Sequence, residues 1–342
     1  MSLSLSGSEA WLLSDEIRVI ANNRNMVLID ITNFSQKYNY AQTKPNILPK
    51  LAPIRLKITT FTRHFNYPYT MNRLITTILT LCVATTVALA QATNYKTETD
   101  IRYTQKTDAY SRQRLTLDIY HPESGGQMPV VVWFHSGGLE TGNKEIPHQL
   151  REKGLVVVGV NYRQLPKVTA RETIDDAAEA VAWVFNNIGS YGGNTRQIVV
   201  AGHSAGGYLS LMLCLDKKWL GRYGVDADSV MMYAPLSGQT ITHFNVRKMQ
   251  GIPPLRATID ELAPLYWVRA DCPPIVLVCG DREQELFGRY DENQYFARMM
   301  KLVGHKQTYL YELDGYDHGD MIGPGLPVVL KHIRKMTAKQ GE

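Results

Sequence analysis

The sequence predicts an α/β domain, a mostly parallel sheet with helices on both faces. Three observations carry that expectation. From residue 97 to the end of the 342-residue chain, short β-branched runs alternate with amphipathic helical patterns. Six of those runs, "PVVVWFH", "LVVVGVNY", "QIVVAGH", "SVMMYAP", "PIVLVCG" and "TYLYEL", are apolar nearly throughout, as buried parallel strands are. A stretch of about 250 residues without internal repeats or low-complexity segments suits one such domain.

Two polar-alternating strands, near "TETDIRYT" and "RLTLDIYH", come before the apolar runs. The clearest helix is "TARETIDDAAEAVAWVFNNI", where Ile174, Ala177, Ala178, Val181, Ala182 and Phe185 share one face. A second is "DENQYFARMMKLVG".

The first 90 residues read differently. In "MNRLITTILTLCVATTVALAQA" a single Arg73 precedes an uncharged run over residues 74–90, which ends in the small-x-small pattern Ala88-Leu89-Ala90. Residues 71–90 therefore read as a secretory signal peptide, with a mature start near Gln91 and an exported, periplasmic or extracellular product. The run is short for a membrane span of about 20 residues, so no stable membrane insertion is expected after cleavage. The large Leu81 before Cys82 argues against a lipoprotein cysteine. Residues 1–70 show no sustained periodicity and contain the loop-like "KPNILPKLAPIR". Translation is expected to start at Met71, leaving residues 1–70 as upstream sequence that is poorly ordered and packs poorly on the rest.

Composition is ordinary for a soluble globular protein, 44% apolar and 20% charged. The net charge of +5 comes from the first 90 residues; residues 91–342 hold 28 Lys/Arg and 28 Asp/Glu. A neutral body offers no nucleic-acid surface. Cys214, Cys272 and Cys279 remain in that body. An extended chain from Cys272 to Cys279 spans roughly 23 Å, too far for easy pairing. No essential disulfide is expected, and no metal site, because no His/Cys cluster has ligand spacing.

The chemistry centres on "AGHSAGG". Gly202, Ser204 and Gly206 fit G-x-S-x-G between a strand and a helix. The turn is so tight that positions two before and two after the serine must be small. It lifts the hydroxyl above the sheet edge at a helix N-terminus, whose partial positive charge favours an anion. Upstream, "VVVWFHSGGLETGNK" ends a strand in His135-Ser136-Gly137-Gly138. The N–H groups of Gly137 and Gly138 can join that of Ala205 around a developing oxyanion, with His135 orienting the loop.

The base is His318 in "LYELDGYDHGDM", in the order serine, acid, histidine that this architecture requires. His305 and His332 read as surface histidines, and His203 as pointing away from the serine. The acid must follow "PIVLVCG", where "GDREQE" offers Asp281, Glu283 and Glu285. Asp317 and Asp320 are too close to His318 to approach its ring well. Asp281 equally suits a turn-capping carboxylate.

Taken together, these segments resemble α/β-hydrolases of the hormone-sensitive-lipase-like and feruloyl/acetyl-xylan-esterase-like group. "FHSGG" is similar to that group's His-Gly-Gly-Gly, "GVNYR" to its Asp-Tyr-Arg, "YGGNTRQIVVAGHSAGGYLS" to its elbow region, and "APLYWVRADCPPIVLVCGDRE" to its acid-bearing strand. The resemblance extends over residues 115–336. Ser136 replaces one loop glycine, and a glutamate stands where an aspartate is usual. In the resembling group the acid falls three residues after the glycine that ends its strand, which from Gly280 implies Glu283, with Asp281 as the alternative.

The resemblance implies an α/β-hydrolase fold and a serine carboxylesterase working through an acyl-enzyme without cofactor. Short acyl esters of small molecules or carbohydrates are the implied substrates. Residues 239–271 read as a short cap insertion; "THFNVRKMQGIPPLR" is polar and lacks the apolar face of an interfacial lid. Tyr233, Tyr266 and Trp267 are candidates for lining a sugar-sized site. The same residues would also serve an amidase or peptidase, or persist in a binding protein on an inactive scaffold. The acyl group, the alcohol and the oligomeric state are not legible.

Overall fold

The computed structural model describes residues 16–21, 25–30, 57–60 and 94–340, and the chain divides into two units, residues 1–91 and 92–342. In the first, β1 (Glu16–Ala21), β2 (Asn25–Asp30) and β3 (Lys57–Thr60) form an antiparallel sheet in that order. Sequence analysis found no sustained periodicity there. "EIRVIA" and "NMVLID" carry β-branched residues on either side of a three-residue connection, a hairpin pattern too short to register as sustained periodicity. The rest of that expectation, with the signal peptide at 71–90, lies outside the described residues.

The second unit opens with β4 (Tyr95–Arg102), α1 (Ala109–Arg114), β5 (Thr116–Pro122), β6 (Met128–Phe134) and β7 (Val156–Val160). It continues through α2 (Ala170–Asn187), β8 (Gly193–His203), α3 (Ala205–Leu215), α4 (Lys218–Gly221) and β9 (Met232–Leu236). Then follow α5 (Phe244–Met249), β10 (Ile275–Gly280), α6 (Arg289–Leu302), β11 (Thr308–Leu313) and α7 (Ile322–Gln340).

Its strands pair in the order β11-β10-β9-β8-β6-β7-β5-β4. Pairings from β7 through β11 are parallel, while β5 lies antiparallel to both β7 and β4. The two polar-alternating strands thus form the antiparallel edge, and the six apolar runs form the parallel part.

Successive side chains of a strand face opposite ways, and the core divides accordingly. Val130, Val132, Ile198 and Val200 pack with Ile174, Val181, Leu209 and Met212 of α2 and α3. Val131, Trp133, Val199 and Val276 pack with Leu326, Val329 and Ile333 of α7. Two histidines read as surface residues are buried in these layers. His305 Nε2 donates to the Cys272 carbonyl at 3.0 Å, and His332 packs tilted against Tyr309 and edge-on against Tyr311, with ring centroids 4.8 and 5.7 Å away and its Nε2 2.9 Å from the Tyr311 hydroxyl. A ring that is half apolar is easily buried once its nitrogens find partners.

Candidate active site

Because the central strands are parallel, their C-terminal ends open onto one edge of the sheet, where ligands of open α/β sheets bind. The segments after β6, β8, β9, β10 and β11 supply His135 to Gly138, Ser204, Ser237, Glu285 and His318 respectively.

Ser204 sits between β8 and α3 with φ 54° and ψ −111°, a conformation that L residues adopt only under constraint. The constraint is visible in the flanking glycines. A Cβ on Gly206 would lie 2.0 Å from the Phe134 carbonyl oxygen, and one on Gly202 would lie 2.6 Å from the Gly206 carbonyl carbon. Strands β6 and β8 and the start of α3 meet there as bare backbone. The Ser204 N–H donates to the Leu236 carbonyl at 2.8 Å, fixing the elbow to β9.

The hydroxyl has its expected neighbour: Ser204 Oγ lies 2.9 Å from His318 Nε2. On the other side of the ring, His318 Nδ1 lies 2.7 Å from Glu285 Oε2. Sequence analysis put Glu283 in that place, with Asp281 as alternative, and the structure puts neither there. Residues 281–285 wind into a turn in which the Asp281 carbonyl accepts from the N–H groups of Gln284 and Glu285, at 2.9 and 2.8 Å. Glu283, in the middle of it, is exposed, while Glu285 is carried back over the end of β10. Asp281 caps the turn instead, accepting from the N–H groups of Glu283 at 2.9 Å and Gly315 at 2.8 Å.

Glu285 is held at both oxygens. Its Oε1 accepts from Ser237 Oγ at 2.6 Å and from the Gly280 N–H at 2.9 Å. Burial pushes this carboxyl up, but the hydrogen bonds from His318 and Ser237 outweigh it and bring the pKa down to about 2. Gly280 is small for a reason, since a Cβ there would come within 2.4 Å of the Tyr316 carbonyl in the loop that carries His318. Ser237 was missed by sequence analysis. It is fully buried, has φ 48°, and its Oγ also lies 3.0 Å from His318 Nδ1. The signal available was its place in "YAPLSG", directly after an apolar strand.

His203 does point away from the serine. Its Nε2 donates to the His318 carbonyl at 2.7 Å and so fastens the loop of the base. Burial, with the His318 ring nearby, lowers its pKa to about 3, so it holds the loop as a neutral ring.

Opposite, Gly137 and Gly138 turn with φ of 114° and 62°. A Cβ on Gly137 would meet the Thr141 carbonyl oxygen at 2.1 Å. His135 anchors the loop: Nδ1 donates to the Ser136 carbonyl at 2.6 Å, and its own carbonyl accepts from the Tyr162 hydroxyl at 2.8 Å. Burial lowers the His135 pKa to about 4. From the segment 239–271, Asn245 Nδ2 donates to the Gly138 carbonyl at 2.7 Å, so α5 is attached to the same loop.

The three aromatic candidates fall elsewhere. Tyr233 is fully buried in the core, with its hydroxyl donating to the Ala227 carbonyl at 2.9 Å. Trp267 lies under Lys218 Nζ at 4.6 Å, beyond the C-terminal end of α3 and away from Ser204. Neighbouring Tyr266 packs edge-on against Trp267 at 5.0 Å. Among the described residues no group of three or more His, Cys, Asp or Glu could hold a metal ion, and no helix is long and apolar enough to cross a membrane.

The chain is similar to several known proteins. A family model described as BD-FAE matches residues 117–237, a stretch that includes the glycine loop and Ser204 and stops before Glu285 and His318. A probable isoprenylcysteine alpha-carbonyl methylesterase of Arabidopsis thaliana is 28% identical over 251 residues, 64% of this chain and 52% of its own. A probable carboxylic ester hydrolase of Mycobacterium tuberculosis is 35% identical over 228 residues, 58% of this chain and 51% of its own. The chain thus spans about half the length of the curated relatives it matches. Among solved structures, a truncated form of carbohydrate esterase from gut microbiota superposes with a TM-score of 0.60 at 17% identity, covering 73% of this chain and 99% of that one.

Proposed function

We propose that the unit of residues 92–342, which has the α/β-hydrolase fold, is a serine carboxylesterase that works through an acyl-enzyme. The observation that carries the reading is the hydrogen-bonded chain from Ser204 through His318 to Glu285, at 2.9 and 2.7 Å, above the ends of the parallel strands. His318 Nε2 takes the proton of Ser204 as Oγ attacks the ester carbonyl. The developing oxyanion is met by the N–H groups of Gly137, Gly138 and Ala205. The alcohol leaves with the proton from His318, and a water activated by the same nitrogen then releases the acid. Glu285 holds the ring by Nδ1 and stabilises the imidazolium. This chemistry asks for no metal or cofactor.

For the substrate, the reading is a short acyl ester on a small molecule or carbohydrate. The polar segment 239–271 supports it, because an interfacial lid needs a long apolar face. The aromatic pair Phe244–Phe287, with ring centroids 5.7 Å apart, stands between the glycine loop and the acid turn. It is the candidate platform for a substrate ring, in place of Tyr233, Tyr266 and Trp267.

The test is a burst. Mixed with p-nitrophenyl acetate, the protein should release one equivalent of p-nitrophenolate quickly and then turn over, with the acetyl group found by mass on the peptide containing Ser204. No burst and no turnover would sink the reading. A panel of acetylated and feruloylated sugars then tests the substrate class, and activity confined to long-chain triglycerides would overturn it.

A further inference from the structure

Behind Ser237 lies a buried polar group that the proposed hydrolysis does not use. Arg289, at the start of α6, is 1% exposed. Its Nη1 donates to the Ser237 carbonyl, and its Nε lies 2.9 Å from Glu292 Oε1, one turn along the same helix. That contact pairs the charges at an angle too poor for a hydrogen bond, since both atoms, with Arg289 Nη2, lack hydrogen-bond partners. Asn293 Nδ2 donates to the neighbouring Gly238 carbonyl at 2.8 Å. The first turn of α6 therefore grips both carbonyls of the Ser237–Gly238 turn.

An arginine costs a great deal to bury, and one hydrogen bond with a poorly aligned counter-charge is modest compensation. Core packing alone would be better served by an apolar side chain. What the arginine supplies is a fixed position for Ser237, whose backbone is held at φ 48° and whose Oγ touches both Glu285 Oε1 and His318 Nδ1. Without the Arg289 bond the turn loses the donor that opposes its strain. Ser237 Oγ then shifts away from the carboxylate, and the Glu285–His318 pair loses one of the contacts that aim the imidazole at Ser204.

We propose that Arg289 is a positioning residue of the hydrolytic site: it acts through the Ser237 turn, with Ser237 Oγ as the link to Glu285 and His318. The inference rests on the reading of Ser204, His318 and Glu285 as a hydrolytic triad. The titratable groups facing this cluster from other elements include Arg247 and His243 from the segment that carries α5, the Cys279 thiol of β10, kept protonated by burial, and the neutral His203 at the end of β8. Arg247 is committed elsewhere, since its Nη1 donates to the Arg256 carbonyl at 2.6 Å. His243 is kept neutral by burial, with the charges of Arg289 and Arg247 adding to the effect.

The experiment is a double-mutant cycle on p-nitrophenyl acetate hydrolysis with Arg289→Met, Ser237→Ala and both together, and thermal melting is recorded for each. Arg289→Met is expected to lower kcat by about tenfold or more with KM within about twofold, the pattern of lost transition-state alignment. In the Ser237→Ala background the same change should cost less than about threefold, because neighbours acting on one target are not additive. Arg289→Lys, which keeps the charge for Glu292, should recover part of kcat. Equal losses in both backgrounds overturn the proposal, as does a loss of kcat matched by the loss of folded protein. If Arg289→Met does not fold, Arg289→Lys carries the test, and a Lys variant with wild-type kcat overturns it. Ser204→Ala is run alongside. If it remains active, the triad reading fails; if it is inactive while the cycle is additive, only the role of Arg289 fails.

Discussion

The turns that carry Ser204 and Glu285 bring their side chains to the same histidine ring, at 2.9 and 2.7 Å, yet they are built in opposite ways. At residues 202–206 no side chain separates the backbones of β6, β8 and α3, and a single added carbon on Gly206 would sit 2.0 Å from the Phe134 carbonyl. At residues 281–285 the chain is an exposed turn stitched by its own hydrogen bonds, and only the Glu285 side chain reaches inward. The first geometry admits one spacing of small residues. The second needs only a carboxylate delivered to the right point, and a turn one or two residues longer delivers it equally well.

Substitutions can break that comparison. Ser204→Ala carries the largest expected effect, a loss of about 10⁶-fold in kcat, as for other serine hydrolases stripped of the nucleophile; stopped-flow release of p-nitrophenolate measures it. Glu285→Gln comes next at about 10⁴-fold, since a ring held in the wrong tautomer cannot accept the serine proton. Glu283→Gln should remain within about twofold of wild type, so the pair of kcat values locates the acid. A large loss in the Glu283 variant with a small one for Glu285 would reverse the assignment. Replacing Gly137 or Gly138 by a bulky residue should cost about 10²–10³-fold, the usual price of one oxyanion donor.

The smallest effects are in pH. Glu285 has its pKa lowered from an ordinary 4.5 to about 2. The stability it contributes is therefore full above about pH 4.5 and fades as pH falls toward 2. Melting curves of wild type and Glu285→Gln should converge over that window. Glu292 runs the other way: burial outweighs the Arg289 charge and raises its pKa to about 7. Its contribution is full below pH 4.5 and is lost as pH rises through 7. Glu292→Gln should flatten the decline of melting temperature between those two values, and an unchanged slope would place the titration elsewhere.

The same contrast explains what could be read in advance. All eight strands of the second unit were legible, six because continuous runs such as "LVVVGV" leave little choice but a strand covered on both sides, and two by their polar alternation. That Ser204 and His318 would meet was legible, because the elbow's glycines mark one residue and chain order marks the other. The carboxylate beside His318 was expected at Glu283, two positions before the Glu285 that the structure places there. Counting from Gly280 presumes a shape for the turn, and the winding set by the Asp281 carbonyl is a matter of backbone hydrogen bonds that residue types do not declare. Ser237 was missed for a related reason: its importance lies in which neighbours fold brings to it, from 48 and 81 residues away. Tyr233 was offered to the substrate although its place in β9 commits it to the core.

One further contact bears on how such a protein is altered. Gly207 and Gly238 meet backbone to backbone, where a Cβ on Gly207 would lie 2.8 Å from the Gly238 Cα. The helix behind the nucleophile and the turn behind the acid are thereby joined without any adjustable part between them, like a single casting. The segment 239–271, in contrast, meets the glycine loop through the amide of Asn245, a joint that one side chain can loosen or remake. Changes of substrate scope, whether by selection or by design, have room where that segment meets the glycine loop, while the casting keeps Ser204 and the Ser237 turn in line.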